Sequence, residues 1–123
     1  MKIAAIIAQV LVSVGFFMTG VMKLMNYDVM VADPKMAWML DFSETQIRVI
    51  AVLEILGVLG MLLPFIVKKF KALVPISAFC LVLLGSGAVY THISREEMFL
   101  PALILTLLTL FVTFARKGLL KAE

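Results

Sequence analysis

The chain is poor in most of the groups that soluble catalysts rely on. Its 123 residues include one cysteine (Cys80), one histidine (His92) and one tryptophan (Trp38). A lone cysteine allows neither a disulfide within the chain nor a Cys-x-x-Cys redox pair. A lone histidine excludes a bis-histidine haem site within one chain, and Cys80 with His92 leaves a zinc site short of ligands. Charged residues make up only 15% of the chain, and the net charge of +3 is too small to suggest a nucleic-acid partner. There is no low-complexity segment and no obvious repeat.

Hydrophobic residues, by contrast, make up 63% of the chain, and the mean hydropathy is +1.13. Ordinary soluble domains are about 45–50% apolar. A single small domain cannot hide this excess inside itself. A bilayer is the natural solvent, and the lipid bilayer is the first expected partner. A helix crosses the hydrocarbon with about 20 apolar residues. Four segments fit, near 3–25, 46–67, 72–92 and 97–115. The expected fold is all-α, an integral membrane four-helix bundle forming one transmembrane domain over 1–123. The first segment is longer than a signal-peptide core and is read as a retained helix.

Basic residues predict the orientation. Lys2, Lys68, Lys69, Lys71, Arg116, Lys117 and Lys121 fall on one side. On the other, Lys35, Arg48 and Arg95 are offset by Asp28, Asp33, Asp41, Glu44, Glu96 and Glu97. Both termini are therefore expected in the cytoplasm. Asp33-Pro34 reads as a helix start. It predicts a short outer interfacial helix, MAWMLDF, that anchors Trp38 at the head groups between spans one and two. Ser43-x-x-Gln46 and Ser94-x-x-Glu97 read as capping boxes opening spans two and four.

Helical spacing sorts the polar and small residues onto faces. Span one aligns Phe16, Thr19, Gly20 and Lys23, with Gln9 close by. Span two aligns Ile47, Ile50, Glu54, Gly57 and Met61. Span three aligns Ala78, Leu81, Gly85, Ala88 and His92, and span four aligns Ala102, Thr106, Thr109 and Thr113. Small and hydroxylated stripes let helices approach closely in lipid, so Gly20, Gly57, Gly85 and Ala88 are read as packing positions. The nine methionines read as flexible filler rather than a metal pathway. No metal site is expected.

Glu54 stands inside the run IRVIAVLEILGVLGMLLPFI, about 10 Å down its span at 1.5 Å per residue. A charge at the bilayer centre costs about 2.5–3.5 kcal/mol on insertion scales. Side chains lean toward their helix N-terminus. Lys23 and His92 therefore lean inward and Glu54 leans outward, which predicts a polar cluster of the three in the outer half. Such a cluster either binds a ligand or handles protons, or it only fixes helix register. Sequence alone leaves both open.

Three stretches carry a resemblance: FFMTGVMKL (Phe16 to Leu24), VLEILGVLGMLLP (Val52 to Pro64) and GAVYTH (Gly87 to His92). In this order and spacing they resemble the DoxX-like family of small four-helix membrane proteins, over residues 5 to 114. Gly20, Lys23, Glu54, Gly57, Gly87, Ala88 and His92 match the family's recurrent positions. Longer members often carry an arginine where Gln9 stands here. The missing redox cysteine pair argues that the chain is not an enzyme on its own. The resemblance implies a bacterial cytoplasmic membrane protein. It implies an accessory subunit of a membrane redox system, as in thiosulfate:quinone oxidoreductase, with a quinone or other lipophilic ligand at the Lys23/Glu54/His92 cluster. The expected partner is a membrane or redox protein, and a homo-oligomer is possible. Distant eukaryotic relatives imply the alternative of a non-enzymatic scaffold or assembly chaperone.

Overall fold

A computed structural model of the chain describes residues 2–96 and 98–121. Its α-helices are α1 (Lys2–Met25), α2 (Tyr27–Ala32), α3 (Glu44–Val67), α4 (Leu73–Ser94) and α5 (Leu100–Ala115). Two 3-10 segments, Pro34–Asp41 and Lys117–Lys121, follow α2 and α5. The described residues are all helical or connecting, with no strand.

The helix boundaries follow local chemistry. Ser43 opens α3 through a full capping box. Its Oγ accepts from the Gln46 amide at 3.1 Å, and the Gln46 side chain accepts from the Ser43 amide at 2.9 Å. The fourth span starts later than the sequence suggests. Ser94 is the last residue of α4, and α5 begins at Leu100 with Pro101 in its first turn. A proline needs no amide partner there and is preset to helical φ, so it outcompetes the serine signal. The expected partner of that serine, Glu97, lies outside the described residues.

Among the described residues, three helices are long and apolar enough to cross a membrane: Ile3–Met25, Glu44–Val67 and Leu73–Ser94. The fourth apolar helix, α5, has 16 residues. At 1.5 Å per residue it covers about 24 Å, short of a typical hydrocarbon core. Around the bundle α1 neighbours α3 and α5, and α4 neighbours α3 and α5. The arrangement is an up-down ring, with Ala8, Val12, Phe16, Val58, Met61, Ala78, Leu81 and Val112 meeting inside. Close approach depends on missing side chains. A Cβ at Gly57 would lie 2.8 Å from Leu81, and one at Gly20 would lie 3.1 Å from the Ala51 carbonyl. At Gly85 a Cβ would overlap the Thr106 hydroxyl, and at Gly60 that of Ser77.

The α1–α3 connection differs from a single interfacial helix. A break at Asn26 is followed by the one-and-a-half turns of α2. The segment holding Trp38 is then 3-10, with a kink at Met36. Met30, Met39 and Ile47 form a small satellite core under it. The segment is therefore folded onto the bundle end. This end is the lidded end; the opposite one, bearing the first turn of α1, the α3–α4 turn and the end of α5, is the basic end.

Candidate functional site at the lidded end

Glu54 sits ten residues, about 15 Å, from the start of α3, facing α1. Lys23 occupies the last turn of α1, where a cation also complements the helix dipole. Their side chains meet, with Lys23 Nζ 2.5 Å from Glu54 Oε1, at exposures of only 10% and 5%. The second carboxylate oxygen is also taken. Thr19, one turn before Lys23, donates its hydroxyl to Glu54 Oε2 at 2.6 Å. Charges withdrawn this far from water need both a counter-charge and hydrogen bonds to their remaining lone pairs, and here the chain supplies both.

Trp38 closes the site. Lys23 Nζ stands over its ring, 5.8 Å from the centroid, within cation–π range. The His92 ring meets Trp38 edge-on at a centroid distance of 5.7 Å, and Phe42 does the same at 6.2 Å. The indole thus lies against both Lys23 and His92. In the structure Trp38 is half-buried as the roof of the ion pair, because the 3-10 segment turns it toward α4.

The roof is tied down at both edges. Arg95, just past α4, pairs with Asp41 at 2.8 Å. Arg48 on α3 bonds Glu44 at 2.9 Å and the Leu24 carbonyl at 3.2 Å, and stacks over Tyr27. Of the packing positions, Gly20, Gly57 and Gly85 are buried along these faces, while Ala88 is half-buried, one turn before His92.

A second polar group lies deeper. Gln9 is fully buried on α1, and its Nε2 donates to the Met61 carbonyl at 2.7 Å. Its Oε1 is buried without a partner. Ser13 donates to the backbone carbonyl of Gln9 at 2.8 Å. Helical spacing put Gln9 near the inner stripe but did not give its bond across to α3; Ser13, four residues on from Gln9 and three before Phe16, shares that face, a signal in the sequence that was passed over. Among the described residues no group of three or more His, Cys, Asp and Glu is arranged to hold a metal ion.

Residues 7–115 match the DoxX-like family. No curated protein and no solved structure matches the chain. The chain belongs to the DoxX-like family, as a helical protein with apolar helices suited to a multi-pass place in a membrane.

Proposed function

Starting from that membership, we propose that the protein is an accessory subunit of a membrane redox system, not a complete enzyme. Its lidded end binds the head group of a quinone or similar lipophilic ligand. The observation that carries this reading is the buried Lys23–Glu54 pair roofed by Trp38. An amphiphile needs a few convergent polar atoms within apolar walls. Glu54 offers a proton acceptor and His92 a donor to a carbonyl, with Lys23 as the counter-charge of the acid. Electrons come from a partner dehydrogenase.

Trp38 is the sole tryptophan and touches the site, so it reports on it. Titrating the purified protein with a soluble quinone should quench its fluorescence saturably, and Glu54→Gln should remove the saturable phase. Quenching that only tracks bulk quinone, or that is unchanged in Glu54→Gln, rejects the reading.

A second reading is a non-enzymatic scaffold for another membrane protein. It is favoured by the fact that both Glu54 oxygens already have partners within the chain. Under it, the double variant Lys23→Met/Glu54→Gln folds and still retains its client in affinity capture. The basic end is assigned to the cytoplasm of a bacterial cell. A carboxy-terminal reporter active only outside the cytoplasm should be silent; a strong signal overturns this orientation.

A further inference from the structure

We propose that the groove between α4 and α5 at the basic end holds one acyl chain of an anionic phospholipid, with its head group on Lys117. The groove is walled by Pro75, Ile76, Phe79, Cys80, Thr113 and Phe114, and Lys117 closes it at the basic end. Its volume is about 330 Å³, at the small end of ligand pockets, which run to about 1,000 Å³. The walls are almost wholly apolar apart from Lys117 at one end, which suits an acyl chain rather than a polar metabolite. Ile76, Phe79 and Phe114 are each about half exposed along its rim, so it opens where a bilayer lies.

The charge balance selects the head group. Lys68, Lys69 and Lys71 in the α3–α4 turn stand at this end with Arg116 and Lys117. Among the described residues, no aspartate or glutamate is there to answer them. Arg116 Nε is buried with no acceptor. The first turn of α4, which supplies Pro75 to the groove, carries no acidic residue and no side-chain cap. Among the described residues the side-chain charges at this end are therefore all positive, whereas the groove walls are oil. A molecule with an anionic head and an apolar tail answers both. Clustered basic residues at a membrane surface attract anionic lipids in this way. The site lies at the opposite end from the Lys23–Glu54 pair and is independent of it.

Cys80 is the only thiol of the chain and is exposed in the groove wall, so it reports occupancy directly. The test uses the full chain in a neutral detergent with added phosphatidylglycerol or phosphatidylcholine of identical chains. The rate of Cys80 alkylation by N-ethylmaleimide is followed, with native mass spectrometry counting retained lipid. Phosphatidylglycerol should slow alkylation and leave one lipid bound, while phosphatidylcholine does neither. Lys117→Gln, at an exposed position, should weaken that retention about fivefold, the effect of one basic side chain at an anionic surface, and Lys117→Arg should preserve it. Equal protection by both lipids, no protection by phosphatidylglycerol, protection that survives Lys117→Gln, or protection by inorganic phosphate alone would each overturn the proposal.

Discussion

The two ends of the bundle treat charge in opposite ways. At the lidded end each of Lys23, Arg48 and Arg95 is paired with a carboxylate of the chain: Glu54, Glu44 and Asp41. At the basic end the lysines of the α3–α4 turn, Arg116 and Lys117 meet no acid among the described residues, and α4 starts without a side-chain cap. The contrast follows from depth. A carboxylate ten residues into a span must be answered from within the protein, because lipid offers it nothing. Cations at the rim are answered by water and by head groups. An end that satisfies itself should be fragile to single substitutions. An end that relies on its surroundings should tolerate them, or even gain.

The sharpest way to break this comparison is at Glu54. Glu54→Ala leaves the buried Lys23 without its partner, and should lower unfolding stability by about 3–5 kcal/mol. Adding Lys23→Met should return more than half of that. Equal stability of the single and double variants in detergent denaturation would mean the pair is not coupled.

Next comes the seam between the two ends. Gly85→Ala forces the Thr106 hydroxyl to rotate and release the Ala102 carbonyl, to which it donates at 2.7 Å. The expected loss is about 1–3 kcal/mol, largely restored by adding Thr106→Ala. A Gly85→Ala protein with wild-type melting would show that the α4–α5 contact is looser than described.

At the basic end the sign should reverse. Lys68 caps α3 at φ 59°, a left-handed conformation where glycine is usual. Lys68→Gly should raise stability by about 1 kcal/mol, the approximate penalty of that conformation for a residue with a Cβ. A loss instead would assign Lys68 a structural contact that this end otherwise lacks.

The smallest effect belongs to the exposed latch. Arg95→Gln should cost less than about 1 kcal/mol and matter less still in high salt. A larger, salt-insensitive loss would mean that the roof depends on Arg95 for more than its bridge to Asp41.

Much of the architecture was legible because lipid imposes simple rules. The runs of oil gave the helices, and Ser43-x-x-Gln46 placed the start of α3. The serine at 94 misled, because Pro101 set the start of α5 instead. A short motif does not reveal which of two competing local signals wins. The α2 turn was missed altogether, since YDVMVA is too short to show a period and folds by packing Met30 against Met39 and Ile47. Spacing brought Lys23, Glu54 and His92 to one end. It gave no sign that Thr19 would take the second carboxylate oxygen, or that Gln9 would bond across to Met61.

By itself, the sequence determined the solvent, the number of apolar helices and the level at which an acid had to be answered. These depend on composition and on a fixed rise per residue. Tertiary structure alone decided how that answer is completed: Thr19 takes the second carboxylate oxygen beside Lys23, under the ring of Trp38. It also decided that the basic end would carry an apolar groove beside Lys117. Both outcomes depend on where a connecting segment folds back and how closely two helices meet. Those are settled by contacts between residues far apart in the chain, which no local pattern records.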